Sequence, residues 1–475
     1  MRIVIFISIL LTICTIGKAQ PTALAGPVRL VFTSDFQHHP FGQDPVWGGW
    51  PEGSMARAMS YIRSHRRAMG EDRFALLACG TTLKAPYSYY PENMASQISD
   101  YIGFERGFER GGISFDVTLQ SKQTVFSFGT SGENRVLLSL ISDPDITLEK
   151  IAGIDHGSPV HLLVAAFGRE PEVCRVITIS GDTTTVLNLG NTGKYIGVAD
   201  FNSPSDFTVK TVDISGFPAD AEYMEHFQQL YDSVRAFYDT PIATLADTLR
   251  QSGALFGPTA YTALFHRFQL EITRAEVSFF APPLTDDVIP AGEITGADLL
   301  RRFRYENHLM VLRLTGKEIQ QYIEYAYGLR YNTMRRLTDD LLRMSRDRDG
   351  VLQLRTAVYN LDEAFGVDYQ VDVSRPQGRR VKVTGMSDGT PFRTDHTYRV
   401  VLNSHRLSGD HSYLSRATGL SGQAIEQRIV CRTESDFRYL LWDWLSRKKE
   451  IVPENSLNWE VLPETFIKSS KARIY

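Results

Sequence analysis

Residues able to do chemistry gather first behind the apolar run Val28-Arg29-Leu30-Val31-Phe32-Thr33, at Asp35, His38, His39 and Asp44. Carboxylate and imidazole together can hold one divalent ion, so this cluster is either a mononuclear metal site or a polar loop after a strand. The loop is the simpler alternative, because no distant ligand is identifiable. Asp182 would join Asp35 if two strand tips met, and that pair alone would bind Mg²⁺ or Ca²⁺ weakly. Ser34 or Thr81 as a nucleophile would need a positioned base, and neither sits in a Gly-x-Ser-x-Gly elbow. Cys79, beside Gly80, is either a reactive thiolate or, more simply, a small buried apolar residue. Arg57, Arg63, Arg66 and Arg67 fit the solvated face of one helix, with an anion patch as the lesser alternative.

The elements that must position these groups follow from pattern. Val28–Thr33 and Phe74–Cys79 are β-rich apolar strands with polar tips. Between them Ser54 is placed to cap a helix whose Met55, Met59 and Ile62 share a face. Further strands are expected at 136–141, 160–166 and 176–179. Strand, helix, strand with polar tips is an α/β pattern, in which sites form beyond strand C-termini. An Asp-, Ser- and Pro-rich stretch over 200–219 is expected as linker, followed by an amphipathic helix over 221–237. The second half is again α/β, with Thr295 and Thr315 as helix caps and Thr315-Gly316-Lys317-Glu318 as a capping box.

The chain has 475 residues, enough for two or three domains. Met1-Arg2, an apolar run over 3–16 and the small residues Gly17 and Ala19 are expected to form a secretory signal peptide over 1–19. That run is too short to span a bilayer, which takes roughly 20 residues. A net charge of −4 without any basic tract argues against nucleic acid as a partner. Cys79, Cys174 and Cys431 lack paired spacing, which argues against a disulfide framework.

An ordered set of segments then carries a resemblance. It runs through Phe256-Gly257-Pro258-Thr259, Tyr305-Glu306-Asn307 and Leu314-Thr315-Gly316-Lys317-Glu318-Ile319. Val371-Asp372-Val373-Ser374-Arg375-Pro376, Asp388-Gly389-Thr390-Pro391-Phe392, Leu402-Asn403-Ser404 and Asn458-Trp459-Glu460 complete it. In this order they resemble the two-domain metallophosphoesterase/5'-nucleotidase family, specifically its exported Bacteroidetes-type members. The resemblance implies an N-terminal four-layer α/β/β/α sandwich over 20–205, a linker with helix over 206–238, and a 5'-nucleotidase C-terminal α/β domain over 239–475. It also implies that Tyr305 and His405 flank a nucleoside base bonded by Asn307. An imidazole at 405 offers less stacking area than Phe or Tyr. The family's glycine-rich Arg loop is replaced by Phe280-Ala281-Pro282-Pro283, and Gly409-Asp410 departs from a more glycine-rich turn.

The N-terminal half matches in frame but not in chemistry. The family's Asp-x-His is Asp35-Phe36-Gln37, its Gly-Asp is Gly80-Thr81, and its Asn-His pair is missing from 105–112. A later ligand histidine is replaced by Ala166, and the closing Gly-His-x-His aligns with Gly181-Asp182-Thr183-Thr184. Two Zn²⁺ or Mn²⁺ ions, the family's cofactors, sit ~3.5–4 Å apart in such sites. At an effective dielectric of ~20 they repel by roughly 18 kcal/mol, which a bridging carboxylate relieves and Thr81 cannot. Three functions are therefore weighed. The first is a catalytically impaired family member, with no metal cofactor, that binds a nucleoside or nucleotide-like molecule. The others are an active phosphohydrolase with a rebuilt site, and a structural protein with an envelope partner.

Overall fold

The computed structural model describes residues 27–33, 39–46, 48–49, 51–70, 73–79, 109–110, 113–114, 116–120, 123–129, 135–141, 146–153, 160–179, 181–203, 206–303, 305, 307–346, 350–408 and 412–474. The expected signal peptide lies outside them. The chain forms two compact units that divide between Asp232 and Ser233.

In the first unit, β1 (Val28–Thr33) pairs in parallel with β2 (Phe74–Ala78) across α1 (Met55–Met69). Ser54 caps α1, its hydroxyl accepting from the Arg57 amide. Met55, Met59 and Ile62 are buried as their spacing predicts, each contributing about 1.5–3 kcal/mol. The second sheet is built from β3 (Asp116–Gln120), β4 (Gln123–Gly129), β5 (Arg135–Ile141), β6 (Val160–Ala165), β7 (Glu172–Ile177) and β8 (Thr183–Asn188), with α2 (Leu148–Ala152) between β5 and β6. Its order is β3-β4-β5-β6-β8-β7. β9 (Tyr195–Ser203) returns to the first sheet beside β1, and β10 (Asp206–Asp213) pairs with β9 at its edge.

The sheets bury Leu30, Phe32, Ala75 and Leu77 of one against Leu138, Leu162, Val164 and Leu187 of the other. The outer face of the first is covered by α1 with α3 (Ala221–His226) and the start of α4 (Gln228–Asp239), and that of the second by α2. These are the four α/β/β/α layers the resemblance implies.

Two expectations change here. The stretch expected as linker from 206 is strand for eight residues, Asp206–Asp213. Its polar composition is that of an exposed edge, while Phe207 and Val209 pack against the intersheet core. The helix expected over 221–237 is two helices, parted at Phe227. The arginines of α1 also do more than face solvent. Arg57 donates to the carbonyls of Ser215 and Phe217, and Arg63 reaches Asp220 at 2.9 Å, the N-cap of α3. They fasten the segment that carries α3 onto α1.

The second unit is centred on β11 (Val277–Phe280), which follows α5 (Ala260–Thr273). α6 (Gly296–Arg302), β12 (Leu309–Thr315), α7 (Gly316–Arg330), β13 (Glu363–Phe365), β14 (Thr397–Asn403), β15 (Ile429–Arg432) and α8 (Phe437–Lys448) follow. The central sheet runs β13-β11-β14-β12-β15. β12 is buried on both faces by strict alternation: Met310, Leu312 and Leu314 join the α7 side, Leu309 and Val311 the α5 and α8 side. Thr295 and Thr315 both close capping boxes, with Asp298 and Glu318. Gly316 has a second duty, since a Cβ there would clash with the Arg393 carbonyl oxygen. Glu318 also pairs with Arg428, which ties the first turn of α7 to the approach of β15.

Candidate functional site

At the tips of the N-terminal strands the groups that can be placed are used structurally. The Cys79 amide donates to Thr33 O at 2.8 Å, and its thiol points at Val164 O at 3.3 Å and Ile141 O at 3.6 Å. One residue thus joins the C-terminal ends of β1, β2, β5 and β6. Cys79 is 1% exposed, and burial pushes its thiol pKa up to about 12. It is an inert thiol, whereas Cys431 is exposed. A thiol reagent at neutral pH should therefore modify Cys431 in the native protein and reach Cys79 only after denaturation; mass spectrometry showing native Cys79 labelled at a comparable rate would contradict this packing.

Of the residues considered for metal, Asp35, Gln37, His38 and Thr81 lie outside the described residues. His39 Nδ1 stands 3.4 Å from Asp44 Oδ2. Asp44 is buried in its own turn, with Oδ1 accepting from the Val46 amide at 2.8 Å. Asp182 does not reach the tip that β1 shares with Cys79. It lies in the turn from β7 to β8, where its carbonyl accepts from the Thr178 amide. Val164, beside the Cys79 thiol, is level with Leu187, five residues further along β8. At ~3.3 Å per residue Asp182 is about 16 Å away along the strand. β7 and β8 form an antiparallel hairpin, which sends the Asp182 turn to the other end of this sheet; Asp35, its expected partner, lies outside the described residues.

Ala166 follows β6, and its neighbour Phe167 is held by buried Asn188, which accepts from the Phe167 amide and donates to its carbonyl, each at 3.0 Å. Near the opposite end, His161 is a satisfied core histidine between Ser139 (2.7 Å) and Thr184 (3.1 Å). Among the described residues no group of three His, Cys, Asp or Glu side chains is placed to hold a metal. The types at the motif positions, a neutral Gln37 and Thr81 with Ala166, do not fit two divalent ions.

In the second unit the register brings the expected residues together. Leu309 of β12 faces Asn403 of β14, so the residues before one strand meet those after the other. The Ser404 amide donates to His308 O at 2.9 Å, and the His308 amide donates to Ser404 Oγ at 3.0 Å. Asn403 Oδ1 accepts from the His405 amide at 2.8 Å, which caps the short 3-10 turn 404–407 and turns the chain away from the sheet. The motif Leu402-Asn403-Ser404 therefore has a mechanical meaning: it fixes His405 beside the loop that carries Tyr305 and Asn307. β11 runs parallel to β14 and β13 antiparallel to β11, so Phe280 and Asp362 arrive at the same end.

The result is a cavity of about 620 Å³ whose walls include Tyr305, Asn307 and His405. Phe280, Phe303 and Phe437 form an aromatic base to it, with Phe303 and Phe437 centroids 4.7 Å apart. Tyr305 is 75% exposed at the rim; the Asn307 carbonyl accepts from the Phe437 amide at 2.6 Å, while its side-chain Nδ2 reaches Tyr305 O at 3.5 Å. Shielding from solvent, and then the adjacent Arg406, hold His405 below the usual histidine range. Beneath it Arg406 and Asp362, 5% and 1% exposed, form a bidentate pair with Nε–Oδ2 at 2.8 Å and Nη2–Oδ1 at 2.6 Å. Tyr322 OH donates to the same carboxylate at 2.6 Å. Burial works against the Arg406 charge, but Asp362, with Tyr322 and Tyr413 beside it, raises the guanidinium pKa overall. Asp362, Arg406, Phe303 and Phe437 were not identifiable from sequence, because nothing local distinguishes a wall residue from a core residue.

Residues 241–416 match the family model described as "5'-nucleotidase, C-terminal domain". With the four-layer unit that precedes it, the chain has the two-domain architecture of the metallophosphoesterase/5'-nucleotidase proteins that it resembles. It is 26% identical over 189 residues to the trifunctional nucleotide phosphoesterase protein YfkN of Bacillus subtilis, covering 37% of this chain and 12% of that protein. It is 25% identical over 270 residues to the 2',3'-cyclic-nucleotide 2'-phosphodiesterase/3'-nucleotidase of Salmonella typhimurium, covering 49% of this chain and 39% of that one. The matches thus span well under half the length of these curated relatives. Among solved structures, a candidate 5'-nucleotidase from Staphylococcus aureus in complex with α-ketoglutarate shares the fold, with TM-score 0.58, 16% identity, and coverage of 92% of this chain and 99% of that one.

Proposed function

We propose that this is an exported 5'-nucleotidase-family protein that binds a nucleoside or nucleotide-like molecule in its C-terminal unit and is impaired at the dinuclear metal site of its N-terminal unit. The observation that carries the reading is the cavity itself. Tyr305 and Asn307 from one loop and His405 from a distant one line one space of about 620 Å³, the size of small-molecule sites. An exposed ring, a weakly engaged amide and an aromatic base suit a planar heteroaromatic group with polar edges. Impairment rests on residue types: Gln37, Thr81 and Ala166 offer neither the bridging carboxylate nor the imidazoles two metals need.

Export rests on the N-terminal pattern over 1–19. Among the described residues no helix is long and apolar enough to cross a membrane. A thermal-shift series against the four common nucleosides tests the ligand reading. A ligand at a hundredfold excess over its Kd should stabilise the protein by about 2.7 kcal/mol. A shift that Tyr305→Ala leaves unchanged would place the ligand elsewhere, and no shift with any nucleoside or nucleotide would favour a structural role.

A further inference from the structure

The segment Asp388-Gly389-Thr390-Pro391-Phe392 takes no part in the cavity that Tyr305, Asn307 and His405 line. It belongs to the other end of the central sheet. Phe280 and Asn403 end β11 and β14 at that first cavity. Glu276 precedes β11, and Tyr398 stands near the start of β14, about 16 Å from Asn403 at ~3.3 Å per residue. A second cavity of about 540 Å³ opens there, and its walls include Glu276, Phe365, Asp388, Arg393, His396 and Tyr398.

Three backbone segments converge on it through Gly366. At φ +90° this residue takes a conformation that L side chains rarely adopt, and a Cβ there would clash with the Glu276 carbonyl oxygen. Its own carbonyl accepts from the Ser387 amide at 3.0 Å, which hangs the Asp388 turn beside Glu276. In that turn Asp388 Oδ1 accepts from the Thr390 hydroxyl at 2.6 Å and amide at 2.9 Å, and these bonds hold the carboxyl below the usual carboxylate range. Glu276 Oε2 accepts from the Arg399 amide at 2.8 Å. Each carboxylate thus turns a second oxygen to other uses. Aromatic surface stands beside them: Tyr398 is buried, with Phe392 stacked on it at 5.4 Å and the His396 ring on edge at 4.8 Å. The guanidinium of Arg393 is held by Asp395, with Nη2–Oδ2 at 3.1 Å and Nε–Oδ1 at 3.3 Å.

Ionised carboxylates give ammonium and guanidinium groups strong hydrogen bonds, and aromatic rings attract the same cations and pack against their stems. We propose that this second cavity binds a small organic cation, an amine or guanidine on an apolar stem, with its charge at Glu276 and Asp388 and its stem along Phe365 and Tyr398. The site is independent of the nucleoside reading.

Isothermal titration of the full chain with agmatine and cadaverine, beside glutarate as an anion of similar length, tests it. Both cations should bind, with affinity that falls as salt rises, and glutarate should not. The double variant Glu276→Gln, Asp388→Asn keeps an acceptor for the Arg399 and Thr390 bonds. It should bind the cations at least about fivefold more weakly and unfold at the same urea concentration as the native chain. Should the double variant unfold early, Asp388→Asn alone, on the exposed turn, carries the comparison. Cations that bind variant and native chain equally, glutarate that binds in their place, or no binding by either cation would overturn the proposal.

Discussion

Asp362→Ala should destabilise the C-terminal unit by about 3–5 kcal/mol, the cost of leaving a buried guanidinium without its partner. Arg406 is 5% exposed, and two of its nitrogens would lose their carboxylate. Tyr322, itself buried, would lose the acceptor of its hydroxyl at the same time. Equilibrium urea unfolding of the variant reads the loss directly. Replacing both Asp362 and Arg406 with leucine should recover much of it, because a buried pair contributes little net stability over apolar residues of similar size. A single variant that loses less than about 1 kcal/mol would show that the pair is hydrated and that the cavity wall is not built as described.

Tyr305→Ala should act on binding and not on stability. Stacking on an aromatic ring is worth about 1–3 kcal/mol per base by alanine substitution, which is roughly 5- to 150-fold in Kd. Because the ring is 75% exposed, its removal should change unfolding by no more than about 0.5 kcal/mol. Loss of stability with unchanged affinity would make Tyr305 a packing residue. The pH dependence has a definite sign. His405 lies below the usual histidine range, so its ring is neutral at pH 7 and becomes charged only as pH falls through that lowered value. Affinity should be level from neutral to mildly alkaline pH, and any change that arises from His405 should appear on the acidic side.

Much of the fold was legible in the sequence where period and capping agree. Met55, Met59 and Ile62 buried one helix face as spaced, and Thr315 with Glu318 closed its box. Legibility failed where composition and structure pull apart. Asp206–Asp213 looks like linker because an edge strand tolerates polar residues on its open side. Gly181-Asp182 aligned with a ligand motif, but sequence does not say which end of a sheet a turn occupies; only the β7–β8 pairing does. The cavity was half legible. Tyr305, Asn307 and His405 carry motif positions, whereas Asp362 and Arg406 meet only through the register of β11, β13 and β14. The motif residues Asn403 and Ser404 use their side chains to fix the loops around the cavity.

We propose a nucleoside cavity in the C-terminal unit and the loss of the metal pair in the N-terminal unit. A crystal structure of the full chain, grown with adenosine and excess Zn²⁺ and measured at the zinc absorption edge, tests both halves at once. The account predicts a base against Tyr305 and Asn307, and no pair of anomalous peaks ~3.5–4 Å apart in the N-terminal unit. Two such peaks at the tips of β1 and β2, or a cavity that stays empty of nucleoside, would contradict it.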